Sequence, residues 1–257
     1  MGVMKENFIR NAHDTTFSPT GLFNFVSGAL GRDESGNNRH LTEAEHGGGD
    51  PTDDSDFIYG KAEGLSHFTL FRNNNTEAEG FNYTGAMSYC CLVNTTQWIM
   101  DSTNNHAQLG IHRGGANGAS FSDSTIDQRF SLQITNDGYI RYLHQSGGSG
   151  GSLTNHIAKT DRRIRTHYAW NHVAFTRDSN GTGIKLFFNG DQIHSETLST
   201  APGNNGNSFF AVGDVYNYNR TLTNTCVITS CVLFNQELSE NQIKYLARKT
   251  LGYHRVQ

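Results

Sequence analysis

The chain has 257 residues, of which 35% are hydrophobic and 17% charged, and its 20 Lys and Arg against 24 Asp and Glu give a formal net charge of −4. A pI near 6.3 provides no electrostatic footprint for nucleic acid, and no run of about 18 apolar residues is present to span a membrane. Gly 28 against Pro 3 suits a turn-rich β-protein and argues against a proline-rich stalk, and a mean hydropathy of −0.57 fits a sandwich with long polar loops.

One domain is expected, because all-β sandwiches often reach ~200–250 residues as one unit. Residues 1–16 carry little pattern and read as an N-terminal arm. Residues 1–25 hold no apolar core behind a basic start, so no secretory signal is expected. Leu22 to Val26 is a short strand, followed by Asp33-Glu34-Ser35-Gly36-Asn37, whose residues favour Asx turns and positive φ. After a polar loop at 44–56, strands are predicted at Phe57–Tyr59, Phe68–Phe71, Met87–Val93, Gln97–Met100, Ala107–His112, Phe130–Thr135 and Tyr139–Leu143. Asn136-Asp137-Gly138 is a tight turn between the last two. Residues 114–124 form a long loop, and 146–152 (SGGSGGS) read as a flexible tip, since strand pattern continues on both sides.

Trp170 to Phe175 alternates, turn residues occupy Asp178 to Gly183, and alternation resumes at Ile184 until Asn189-Gly190 reverses the chain into Gln192-Ile193-His194. Asn-Gly between apolar runs is the strongest short hairpin signal, so three antiparallel strands in a row are predicted. Strands follow at Phe209–Gly213 and Val227–Phe234. Ser239 and Gln242 then form a capping box, Leu238 and Ile243 occupy the staple positions, and a helix runs to a stop at Gly252. Tyr253 to Gln257 is a tail. Cys90, Cys91, Cys226 and Cys231 match no metal or redox spacing and read as small packing residues kept as thiols, with a bridge between the two pairs as the alternative. Cys226 and Cys231 have opposite parity and are expected to face apart.

Several of these stretches together resemble laminin-G-like jelly rolls of the concanavalin A-like lectin superfamily. The W-x-H-V-A … N-G core at 170–190 carries the likeness most strongly. D-x-S-G-N at 33–37, Phe209–Gly213 and the closing strand and helix at 227–246 support it, whereas Met87–Val93 lacks the family's tryptophan. The resemblance covers residues 20–250. It implies an all-β, two-sheet antiparallel jelly-roll sandwich with a short C-terminal helix, the domain running over residues 17–252. That fold hosts binders and enzymes alike.

Candidate sites follow from residue chemistry. Tyr216-Asn217-Tyr218-Asn219-Arg220 sets aromatic faces beside amides and a guanidinium, as glycan recognition requires. Trp98 beside Asp101, Asn104 and Asn105 is a second such group, though Trp98 also suits the core. Lys159, Arg162, Arg163 and Arg165, with His167, form the single basic run. As a strand it presents alternate cations to sulfate, phosphate or uronate, or serves as a charged edge that blocks aggregation. Calcium is the one cofactor considered, through Asp101, Asn104 and Asp214, with Asn217 and the acids at 50–56 as further oxygen donors. Glycosidase chemistry needs paired carboxylates at alternate spacing; Glu43 and Glu45 alternate but precede a glycine run. Gln192-Ile193-His194 matches the Q-I-H of alginate-lyase-like relatives, but without their arginine-rich strand, so His194 reads as a half-exposed strand residue. His172 reads as a packing and hydrogen-bonding residue.

The expectation is a non-catalytic recognition or structural module, with a glycan or a virion coat protein as partner, homo-oligomerisation left open, and rim loops as the binding surface. A virion surface component of phage type, either a capsid decoration or a receptor-binding protein, is the favoured setting. A secreted lectin, or a polysaccharide-degrading glycosidase or lyase, is the alternative.

Overall fold

A computed structural model describes residues 17–24, 31–43, 69–73, 84–95, 107–114, 128–135, 137–147, 153–164, 170–203, 208–213 and 226–252. The arm, the 44–56 loop, the expected strands at 57–59 and 97–100, most of the 114–124 loop and the tail lie outside these residues.

The described strands form two sheets. One has six strands in the order β1 (Gly21–Asn24), β13 (Cys226–Phe234), β4 (Met87–Thr95), β9 (Trp170–Arg177), β10 (Gly183–Phe188) and β11 (Asp191–Thr197). The other has seven: β2 (Thr42–Glu43), β3 (Thr69–Asn73), β12 (Ser208–Gly213), β5 (Ala107–Gly114), β6 (Gln128–Ile134), β7 (Ile140–Ser146) and β8 (Thr154–Lys159). Every pair is antiparallel. β7 and β8, on either side of the glycine-rich 146–152 stretch, pair directly from Arg141–Lys159 to Ser146–Thr154.

Alternation along each strand builds the core. Tyr89, Cys91 and Val93 of β4 point between the sheets, where they meet Phe130, Leu132, Tyr142, Phe175 and Phe210. Rings interlock there, with centroids 4.8 Å apart for Tyr142–Phe175 and 5.3 Å for Phe130–Phe175. The opposite face of the six-stranded sheet is covered by α1 (Glu240–Gly252), whose Ile243 and Leu246 pack on Cys90, Ala174, Phe187 and Val232. Around β4, β9, β10 and β13 that sheet is therefore covered on both faces, whereas its edge strand β11 is largely exposed. The capping box forms as expected: Ser239 N–H donates to Gln242 Oε1 at 2.8 Å. Asn189 and Gly190 adopt φ of 54° and 92°, the pair of left-handed residues that a two-residue hairpin turn requires.

Two expectations need correction. A bulge between Ile228 and Ser230 removes the parity argument for Cys226 and Cys231, because Cys226 registers with Thr95 and Cys231 with Cys91, four residues apart on β4. Cys90, Cys91 and Cys231 are buried thiols. His172 packs in the interior, but its hydrogen bonds are made by its backbone to Asn189, and neither ring nitrogen has a protein partner.

Candidate functional site

The outward face of the seven-stranded sheet follows from the same alternation. On β6, Phe130, Leu132 and Ile134 enter the core, which turns Ser131 and Gln133 to the other face. On β7, Ile140 and Tyr142 point in and Arg141 points out; on β8, Ala158 points in and Lys159 out. Strand register then sets Gln108, Gln133, Arg141 and Lys159 in one row across β5 to β8. The row is hydrogen bonded: Gln133 Nε2 donates to Gln108 Oε1 at 2.7 Å, and Arg141 Nε donates to Gln133 Oε1 at 2.8 Å. Gln108 and Gln133 are buried, Arg141 is half-buried, and the Lys159 side chain is 42% exposed. The row thus rises from the interior to solvent at the β7–β8 edge.

Two turns assemble the exposed end. Gly138, at φ 84°, closes the β6–β7 turn, with Gly138 N–H donating to Thr135 O at 2.9 Å. The segment after β8 is laid against it: Ile164 N–H donates to Gly138 O at 2.7 Å and Thr160 N–H to Ile140 O at 3.1 Å. Ile164 is buried, so its anchoring leaves the neighbouring Arg162 and Arg163 on the surface. Lys159 Nζ sits 4.0 Å from the Tyr139 ring centroid and Arg163 Cζ 5.9 Å from it. One aromatic ring therefore holds two cations together, a contact worth roughly 0.5–1 kcal/mol at exposed sites.

Asp137 and Asp161 are the acids at this surface. Lys159 Nζ lies 3.5 Å from Asp137 Oδ2, and Asp161 faces His194 Nδ1 at 3.7 Å. Partial burial pushes the Asp137 carboxyl up, but hydrogen bonds from Thr135 and the charge of Lys159 outweigh it and hold the group below its ordinary value. Arg141, Lys159, Arg162 and Arg163 still outnumber the two acids. A fixed cationic edge beside amide groups and an aromatic ring can hold an anionic group through charge-assisted hydrogen bonds.

Of the residues expected to bind an anion, Lys159, Arg162 and Arg163 come together, and Arg165 lies outside the described residues. They do not alternate along a strand: β8 ends at Lys159, and the two arginines stand in the following turn. Tyr216 to Arg220, Asp101, Asn104 and Asp214 also lie outside the described residues, within which no group of three metal-ligating side chains occurs. Glu43 closes the two-residue β2. His194 lies on the edge strand β11, its ring 3.3 Å from Glu196. Sequence reasoning missed Tyr139, Arg141 and the two glutamines. Their signal was the run of polar residues at Ser131, Gln133 and Arg141 on the outward face of β6 and β7, read only as strand alternation.

Fold and site together define a two-sheet antiparallel β-sandwich with a cationic edge. The laminin G-type family profile of the Concanavalin A-like lectin/glucanases superfamily matches residues 72–244, and the chain belongs to that family. No curated protein matches it in sequence. Among solved structures it is similar to the receptor binding domain of botulinum neurotoxin C/D mosaic serotype, with 17% identity and a TM-score of 0.60 over 90% of this chain and 51% of that one. Similar matches are the botulinum neurotoxin DC binding domain in complex with rat synaptotagmin II (12% identity, TM-score 0.60, 91% of this chain and 52% of that one) and in complex with SialylT (11%, 0.59, 91% and 52%). The chain spans about half the length of these structures, and at such identity the likeness concerns the fold.

Proposed function

We propose that this chain is a non-catalytic recognition module that binds an anionic glycan at the Arg141–Lys159–Arg162–Arg163 edge. The observation that carries the reading is the convergence of Lys159 and Arg163 on Tyr139, with Arg141 next to Lys159 in strand register. Structural neighbours that are binding domains, one of them in complex with SialylT and another with rat synaptotagmin II, support recognition over catalysis. Binding of a sulfated glycan such as heparin to the full chain, compared with an uncharged polysaccharide, tests it. The sulfated glycan should bind tighter, weaken steeply with salt, and lose about tenfold or more in the Lys159→Ala/Arg163→Ala double variant, roughly 1.4 kcal/mol. Equal binding of both glycans, or an unaffected double variant, refutes it. Release of sugar products from a polysaccharide digest would move the chain to the enzyme class.

The finer placement, on a virion surface with the 1–16 arm and the 253–257 tail as tethers to a coat protein, draws on the lack of an enzyme motif or stalk in the sequence and on the settings in which laminin-G-like domains occur. Stoichiometric copies on purified particles, lost on deletion of residues 1–16, would support it. Calcium in the rim loops at Asp101, Asn104 and Asp214 belongs to the same proposal, and a melting temperature unmoved by EGTA removes it.

A further inference from the structure

The connection from β11 of one sheet to β12 of the other begins with residues 198–203, and it is tied to both sheets. On the six-stranded side, Leu198 N–H donates to Thr182 O at 2.9 Å, and Ala201 packs so closely on Gly181 that a Cβ there would stand 2.9 Å from the Ala201 Cβ. On the seven-stranded side, Gly203 N–H donates to Gln145 O at 3.1 Å, and two histidines complete the attachment. His144 of β7 and His156 of β8 are register partners with ring centroids 5.1 Å apart. His144 Nε2 lies 2.7 Å from Thr200 O, and His156 Nδ1 lies 3.2 Å from Ser199 Oγ. Ser199 and Thr200 are exposed, whereas His144 is fully buried.

The bonds around His144 have one consistent direction. A carbonyl oxygen only accepts, so Nε2 carries the proton and Nδ1 of the neutral ring is an acceptor. Tyr142 O–H therefore donates to Nδ1 at 3.1 Å, and the phenol oxygen accepts from Arg177 Nη1 at 2.9 Å, since a guanidinium only donates. Arg177, Tyr142, His144 and Thr200 thus form a chain in which each group donates to the next. A second proton on the ring must go to Nδ1, where Tyr142 O–H already points. Tyr142 would then face a donor on each side, and its hydroxyl proton would lose its acceptor in the core, a loss that costs most where water is excluded. His156 differs: its Nε2 lies 2.7 Å from Ser146 Oγ, so both its nitrogens meet serine hydroxyls, which turn to accept or to donate. His156 can take up a proton in place, and His144 cannot.

Among the described residues, the titratable or charged groups that face His144 are Tyr142 on its own strand, His156 on β8 and Arg177 on β9; residues 198–203 contain none. Burial, with Arg177 and His156 adding to it against the pull of the Thr200 carbonyl, holds the imidazole down at about 4. We propose that His144 is an acid-operated latch: neutral, it holds the 199–203 connection on the seven-stranded sheet, and protonated, it leaves its seat and frees that connection while the two sheets stay folded.

Amide exchange of the full chain, followed residue by residue by NMR and expressed as protection factors, gives the test. An imidazole at about 4 when seated and about 6.5 when exposed makes release about twentyfold more favourable at pH 5 than at pH 7. Gly203 N–H should lose protection by that factor, and at pH 5 the β9 amides should remain at least about tenfold better protected than Gly203. His144→Gln, which cannot take up a proton, should remove the pH dependence at Gly203, and Ser199→Ala, which cuts only the His156 bond, should keep it. In the wild type alone, ring nitrogen shifts should report the Nε2–H tautomer at pH 7. A Gly203 amide as protected at pH 5 as at pH 7, equal protection of Gly203 and β9 at pH 5, an unchanged pH dependence in His144→Gln, its loss in Ser199→Ala, or the Nδ1–H tautomer overturns the inference.

Discussion

Replacing His172 by Leu should make the protein less sensitive to acid while costing little at neutral pH. His172 is fully buried, on the face of β9 that α1 covers, with Leu92 as its cross-strand neighbour. Burial alone pushes its imidazole down to about 4, from about 6.5 in the unfolded chain. The folded state therefore sheds a proton that the unfolded chain keeps below pH 6.5. This contribution is complete above pH 6.5, declines as pH falls, and is gone below pH 4. At 1.36 kcal/mol per pKa unit it amounts to about 3 kcal/mol in full, and about 2 kcal/mol has been lost by pH 5. Leucine has similar volume and nothing to protonate, and it removes two ring nitrogens without protein partners. At pH 7.5 the variant should match or exceed the wild type. Urea unfolding at pH 7.5 and pH 5 gives the test, at constant ionic strength. The wild type should lose about 2 kcal/mol more than the variant between the two conditions. His144, pushed down to about 4 by burial, with Arg177 and His156 adding to the shift, contributes in the same window in both proteins and cancels from the difference. Equal losses in the two proteins would refute the reasoning.

Three further outcomes follow from packing and backbone geometry. Gly110→Ala would place a Cβ 2.6 Å from the Tyr89 ring in the core, and thermal or urea unfolding should show a loss of about 1–3 kcal/mol. Gly190→Ala should cost at least about 1 kcal/mol, because φ is 92° and the new Cβ would stand 3.1 Å from Lys244 Cα and Ala247 Cβ, and Asn189→Gly should also lower the melting temperature, because it removes the Oδ1 that accepts from His172 N–H at 2.9 Å. Asp33→Ala strips the acceptor from three N–H groups and should destabilise by at least about 2 kcal/mol in the same unfolding assays.

Local chemistry made much of the fold legible. Asn189-Gly190 adopts the left-handed pair that its residue types favour, Ser239 and Gln242 cap the helix they predicted, and the alternation within Phe130 to Thr135 sorts core from outer face. Even the basic run was visible as a cluster, though Arg162 and Arg163 stand beyond the end of β8, which alternation could not foresee. The rest depended on pairing between distant segments. Gln108, Gln133, Arg141 and Lys159 form one row only because three strand registers align them. A single bulge on β13 shifts its backbone register with β4 between Cys226 and Cys231, which residue-by-residue parity could not foresee.

From its sequence alone, then, this protein declares its period, its turns, its cap and hence its class, since those depend on the conformational preferences of neighbouring residues. Which side chains share a site was decided in the folded chain. Tyr142 meets Arg177 and His144 meets Thr200 in one hydrogen-bonded chain, and Tyr139 meets Lys159 and Arg163 at the cationic edge, through closure of long loops and burial of a common core. Those are non-local contacts, and no window of neighbouring residues contains both partners.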